Sequence, residues 1–270
     1  MNIPKKYELT DEIKVVNNVV LHRIKSLISF SDVNAGQYGG WIEKEENLSH
    51  AGYCWIYENG VVYENATVSD NALIMGDAVV CGNAKVYDRA MVCDNAYVPG
   101  DAKIFGDSEV YGNAIIYGDV NIFGHARVFD NARVHDNSKI YGCAHVYGNA
   151  RVFDNAEIYD TALVYSDAVI YDNAIIRGHA VVNNNAVIRK NGDIKSAEDY
   201  ITINNIGKGN HNSITFFKTV NYEIYATIGD YTGPLELKDK IKDAYGEEHV
   251  KAYEYAIEIA KLRMMGIKAE

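Results

Sequence analysis

Residues 126–155 read ARVFDN ARVHDN SKIYGC AHVYGN ARVFDN, five copies of one six-residue unit in unbroken phase. The unit is a small residue, any residue, Val or Ile, then three more. It repeats without insertion or deletion from Cys54 to Asn191. Stepping by six from Ala66, the small position is Ala at 18 of 21 places, and Ser108, Val120 and Ser138 are the exceptions. Two residues later all 21 positions are Val or Ile, from Val68 to Ile188, so that column must point inward. Two further hexads, at Cys54 and Gly60, keep the phase with Ile56 and Val62. A fixed period of this length describes a solenoid of short straight sides.

Each position of the hexad has a physical task. The small residue and the Val/Ile lie two apart, so on an extended segment they share a face. β-Branched side chains pack well on a pleated buried surface, which makes that face the interior. Gly or Asp, then Asn or Asp, follow, as in Gly112-Asn113 and Asp154-Asn155; these residues tolerate left-handed backbone and close a corner. One short strand and one corner, repeated, wind the chain into a prism.

The pattern resembles the hexapeptide-repeat parallel β-helices, in which three hexads make one triangular coil. The resemblance covers about half the chain. It implies a left-handed winding, against the right-handed habit of about 98% of parallel crossovers. The expected fold is mainly β: about 7–8 coils over residues 54–191, an N-terminal capping segment over 1–53 and a small α+β domain over 197–270. At roughly 4.8 Å per coil the rod is on the order of 35–40 Å long.

Many members of that family are acyltransferases with loops extruded from a corner and a catalytic His near a subunit interface. This repeat extrudes no loop. The residue after Val/Ile, commonly small in the family, is aromatic here. Sorted by coil, the aromatics fall into three columns: Tyr87, Phe105, Phe123, Tyr141 and Tyr159; Tyr111, Phe129, Tyr147 and Tyr165; Tyr117, His135, Phe153 and Tyr171. Ring stacking between coils is the simplest account, at about 0.5–1.5 kcal/mol per pair. A partner-binding strip is the other, with Phe129, Tyr147, Arg127 and Arg133 as its aromatic-basic centre. Asn95, Asn113, Asn131 and Asn149 align likewise, as do Asn137, Asn155, Asn173 and Asn191, which predicts amide ladders.

The outward position after the small residue is basic or polar in the middle of the rod (Lys85, Lys103, Arg127, Arg133, Lys139, His145, Arg151). It turns apolar at the end with Leu163, Val169, Ile175, Val181 and Val187, which are expected to meet the C-terminal domain or a second subunit. The chain is acidic in sum: formal net charge is −11, which speaks against a generic nucleic-acid binder. No signal peptide or membrane-length apolar run is read, and the four cysteines show no CxxC spacing, so a bacterial cytoplasm and reduced thiols are expected.

The ends carry further signals. Val19–Leu27 alternates as a strand, and Asp32–Trp41 turns tightly. The run from Arg23 through Gly39-Gly40-Trp41-Ile42 to Tyr53–Tyr57 resembles the entry segment of the YdcK-type group of bacteria and prophages, whose members are described as acyltransferases or polymer-forming proteins. Beyond the rod, residues 200–206, 213–218 and 222–228 read as strands, the last two a hairpin through Thr219-Val220-Asn221. Gly233-Pro234 predicts a helix start and Gly246 its end, followed by a helix with Val250, Tyr253, Ile257, Ala260 and Met264 on one stripe. The expected domain is βββαα. Ile206-Gly207, Asn210-His211-Asn212 and Thr215-Phe216-Phe217 resemble a C-terminal module of Gram-positive phage and prophage proteins.

For chemistry, the loop Gly207–Asn212 offers exposed backbone N–H groups, a charge at Lys208 and polar side chains at Asn210, His211 and Asn212, a candidate phosphate or nucleotide cradle. It matches neither a P-loop nor a dinucleotide fingerprint. His125 and His179 share a corner column but lie three coils apart, roughly 14 Å, too far for one metal. No metal or cofactor is expected. The reading is a non-catalytic binding protein, acting on a protein partner or a small nucleotide, forming a dimer or trimer. In its most specific form it is a phage-encoded inhibitor of a bacterial defence system. The alternative is an acyltransferase using acyl-CoA at an intersubunit cleft, with His125 or His179 as its catalytic histidine.

Overall fold

The computed structural model describes residues 4–204, 206, 213–235, 242 and 247–265. The hexads form the expected parallel β-helix. Each contributes a short strand, and strands three hexads apart pair in parallel, as Arg127 pairs with His145 and Val128 with Val146. Three faces result. The first runs from Trp55–Ile56 to Val181–Val182, the second from Val61–Val62 to Val187–Ile188, and the third from Thr67–Val68 to Asp193–Ile194. Every Val/Ile of the repeat is buried, as is every small residue, in one continuous core.

The corners follow from the same repeat. Every sixth residue takes positive φ, from Glu58 at 49° through Asp130 at 57° to Lys190 at 54°, and Gly or Asp fills most of these places. Asp does more than tolerate the geometry. Its carboxylate accepts from the backbone N–H one coil on, as Asp94 does from Gly112 (3.0 Å) and Asp160 from Gly178 (2.9 Å). One of the two expected amide ladders forms: Asn95, Asn113, Asn131 and Asn149 are linked at 3.2–3.4 Å and end on Asp167 at 3.1 Å, whereas of Asn137, Asn155, Asn173 and Asn191 only the first two are joined, at 3.4 Å. Where Ser replaces Ala, its hydroxyl finds a carbonyl, Ser108 donating to Phe105 at 2.8 Å.

The rod is longer than the expected 7–8 coils over 54–191, winding through about nine turns. At the start, Trp41–Ile42 pairs in parallel with Val61–Val62, a rung hidden from the periodicity because two extra residues lie between Leu48 and Ile56. At the end, Asp193–Ile194 forms one more rung on Ile175–Ile176. Ahead of the rod, strands Tyr7–Val16 and Val19–Ser26 form an antiparallel hairpin that extends the second face. Tyr7 seals the open core there. It is buried, and its hydroxyl donates to the carbonyls of Leu48 (2.7 Å) and Glu45 (2.9 Å).

The C-terminal unit closes the other end. Strands Tyr200–Asn204, Ser213–Lys218, Ile224–Ile228 and Tyr231–Pro234 make an antiparallel sheet, with the turn through Thr219-Val220-Asn221 where expected. Gly233-Pro234 does not open a helix. It ends an edge strand, where a proline lacking N–H costs no ladder bond. The expected helix after it falls largely on residues outside those described. Helix Glu247–Met265 lays Val250, Tyr253, Ala260 and Met264 on the sheet, the stripe read from sequence, with Ile257 beside them. The sheet in turn plugs the rod: Phe217 and Tyr200 belong to the rod core, and a Cβ at Gly192 would meet the Phe217 ring at 3.0 Å.

Candidate functional site

The corner between the first and second faces carries the aromatic-basic surface. Tyr111, Phe129, Tyr147 and Tyr165 stack with centroids 4.8 Å apart and near-parallel planes. The repeat dictates this, because residues three hexads apart sit one above another at the spacing of adjacent strands. The other columns stack equally, Tyr87 to Tyr159 at 4.7–4.9 Å and Tyr117 to Tyr171 through His135 and Phe153 at 4.5–4.8 Å. The rings of the first-to-second corner keep partly exposed edges.

Arg127 and Arg133 flank this ladder from opposite faces, so Phe129 and Tyr147 stand between Arg127 on one side and Arg133 and Arg151 on the other. Their electrostatic settings differ. Arg127 lies in register with Glu109 and pairs with it at 3.1 Å. Burial first, and then the Arg127 charge, hold the neighbouring His145 below the usual histidine pKa. Arg133 lies in register with Arg151.

His125 and His179 both face solvent on the third-to-first corner. His125 Nδ1 is 3.7 Å from Asp107, itself forked by Arg89, and His179 Nδ1 is 2.7 Å from the Thr161 hydroxyl. The structure does not bring the two together. Among the described residues no group of three or more His, Cys, Asp or Glu side chains is placed to hold a metal ion. The candidate cradle of Lys208, Asn210, His211 and Asn212 lies outside the described residues.

The apolar residues at the rod's end do not form one column. Leu163 and Val181 lie on the first face, Val169 and Val187 on the second, and Ile175 on the third, because consecutive hexads turn through consecutive faces. All five are half-buried. The C-terminal sheet reaches the second-face pair: the Val187 N–H donates to the Thr215 hydroxyl at 3.1 Å. Tyr200 reaches the first face, donating to the Val181 carbonyl at 2.9 Å.

Two features escaped the sequence reading. Arg177 forks Asp193 through two 2.8 Å bonds, and this pairing, aided by Lys195, holds the carboxyl below its usual range. No motif marks it, since Asp193 lies beyond the repeat as first delimited. The second is a cavity of about 380 Å³ in the angle between the second face and the C-terminal sheet. It forms only when residues 151–187 meet residues 213–230, so no local signal could have disclosed it.

No protein-family model matches the chain. Among curated proteins it is 36% identical over 66 residues to an uncharacterized acetyltransferase, YdcK, of Escherichia coli strain K12, a match covering 22% of this chain and 20% of that protein. The chain thus spans about a fifth of the length of that relative. Among the described residues no helix is long and apolar enough to cross a membrane. Repeat and parallel winding make the chain a parallel β-helix built from hexapeptide repeats, similar over that limited stretch to YdcK.

Proposed function

We propose that the protein is a non-catalytic interaction module, a rigid prism that presents partner-binding surfaces. The observation that carries this is the unbroken register: from Trp55 to Ile194 the strands pair with those three hexads away, so the repeat extrudes no loop of its own to wall a catalytic cleft. Both candidate histidines stand on an exposed edge. The surface we assign to a protein partner is the stacked corner of Phe129 and Tyr147 with Arg127 and Arg133 beside it. Rigid aromatics with flanking arginines are the side chains that interfaces favour.

Self-association has its own support. The outer side of helix Glu247–Met265 exposes Tyr255, Ile259, Leu262 and Met265, an apolar stripe at helical spacing. Light scattering should show an oligomer that Ile259→Glu dissociates. The four cysteines are free, two of them buried, which suits a reducing bacterial cytoplasm. The most specific form of the reading, an inhibitor of a bacterial defence complex, rests on the C-terminal resemblance and is tested by phage plating on hosts with and without such systems.

The likeness to YdcK favours a second reading, an acyltransferase that completes its site across a subunit boundary with His125 or His179. Calorimetry with acetyl-CoA separates the two. The module reading expects no saturable binding and unchanged behaviour in His125→Ala and His179→Ala. Saturable acetyl-CoA binding that either variant abolishes overturns it in favour of the transferase.

A further inference from the structure

The rod manages its arginines by one device, a carboxylate about one coil away. Arg89 takes Asp107, Arg127 takes Glu109 and Arg177 takes Asp193. Arg189 instead bridges to the C-terminal sheet, through the Thr232 hydroxyl and the Asp230 carbonyl, and also meets the Tyr171 hydroxyl of the rod. Arg133 and Arg151 break the pattern. They are direct register partners on the second face, one above the other, and neither has a carboxylate partner among the described residues. Ile115 precedes them in the column and Val169 follows, so neither neighbouring rung offers compensation. Like charges held one strand spacing apart repel, and the position costs stability unless an anion bridges them.

Arg151 lines the 380 Å³ cavity, and Arg133 lies one rung outside it. Val169 and Val187, on the two rungs that follow Arg151 on the second face, form the cavity floor. The other walls are polar: Asp167 and Asn185 from the rod corner, Ser213 and Thr227 from the sheet, and Asp230 at its turn. These groups have spare capacity. Asn185 and Ser213 make no side-chain hydrogen bond among the described residues, and Asp167 accepts only from Asn149 (3.1 Å). Arg189 fixes the position of the Asp230 backbone, so that wall is braced. The volume falls in the range of small-molecule sites.

The geometry points to a binding site for a small hydroxylated phosphomonoester. Two guanidiniums one rung apart present more donors than the two oxygens of a carboxylate can use, whereas a phosphate offers three terminal oxygens to both. Asp167, at the corner one rung on from Arg151, and Asp230, at the turn of the sheet, repel a second anionic group and accept from hydroxyls, and Asn185 and Ser213 add the complementary donors and acceptors. The valine floor suits the C–H side of a polyol. The inference rests on the interaction-module reading and deepens it by naming a ligand.

Calorimetric titration of the full chain with ribose 5-phosphate, ribose, ribonate and inorganic phosphate tests it. We expect saturable binding of ribose 5-phosphate, weakened at least tenfold by Arg151→Ala and by Arg133→Ala, and partly restored in Arg151→Lys. Arg89→Ala, an exposed arginine elsewhere on the rod, should leave it unchanged. Asn185→Ala should weaken ribose 5-phosphate and leave inorganic phosphate as it was. The proposal is overturned by no saturation at millimolar ribose 5-phosphate, by an affinity that both arginine variants leave intact, or by inorganic phosphate binding as tightly. Ribonate binding as tightly as ribose 5-phosphate overturns the assignment to phosphate. Acetyl-CoA in parallel keeps the two readings apart: His-dependent acetyl-CoA binding sinks the module, whereas a failed ribose 5-phosphate titration with inert acetyl-CoA sinks the ligand alone.

Discussion

At the scale of single residues, the hexad assigns each position to core, corner or surface, and the consequences of change follow from that place. Val128 is fully buried between identical positions one coil above and below. Val128→Asp would bury a charge with no partner in a core only a few side chains wide, a cost of several kcal/mol. Loss of soluble folded protein is expected; a melting point within a few degrees of wild type would refute the inward assignment. The cysteines divide the same way. Cys54 and Cys81 are buried, Cys93 is partly covered, and Cys143 stands exposed on the corner. Burial first, then the nearby Asp94 and Glu109, push the Cys93 thiol up to about 11, so little of it is thiolate at pH 8. Iodoacetamide at pH 8 should therefore modify Cys143 well before the other three, and mass spectrometry of the labelled peptides would read the order directly.

At the scale of elements, no strand this short is stable alone, and the stacking of corner residues supplements the strand pairing. An interior ring such as Phe129 stacks on two neighbours and the terminal Tyr111 on one. At about 0.5–1.5 kcal/mol per stack, Phe129→Ala should cost about 1–3 kcal/mol beyond lost burial and Tyr111→Ala about half that. Equal losses in thermal unfolding would mean the rings act as isolated surface groups. The ladders were legible in sequence because columns are simply residues of equal phase. The Asp-to-backbone bonds of the corners were not, since Asp and Gly are interchangeable as αL residues and only the stacked coils reveal that the Asp carboxylate meets the next N–H.

At the scale of the molecule, the rod is a tube of core open at both ends, and the two termini close it with different chemistry. The N-terminal end uses Tyr7 hydrogen-bonded to carbonyls, and the C-terminal end uses the ring of Phe217 over Gly192. Truncation after residue 196 would uncover the last coil around Ile188 and Ile194 together with its unpaired strand edges. We expect the truncated chain to aggregate in light scattering, while a monodisperse rod with unchanged melting would show that the C-terminal sheet is not a cap. The C-terminal unit is also what turns a bare face into a pocket wall, and so decides where a small molecule could sit.

The sequence by itself determined the prism: a period of six, an unbroken Val/Ile column and αL-tolerant corners leave one way to bury the core, and register between identical coils follows from phase alone. It also placed the aromatic ladders, the amide ladder of Asn95 to Asn149 and the stripe of Val250, Tyr253, Ala260 and Met264, because each is a local periodicity. Only the tertiary structure decided the extra rungs at Trp41 and Asp193, where two inserted residues or a lost signature hide the repeat, and the edge strand at Gly233-Pro234, where pairing overrode a helix-start signal. It alone set Arg151 beside the C-terminal sheet. The reason is physical: phase fixes what lies one coil away, but which face a non-repeating domain covers depends on packing between segments that share no period.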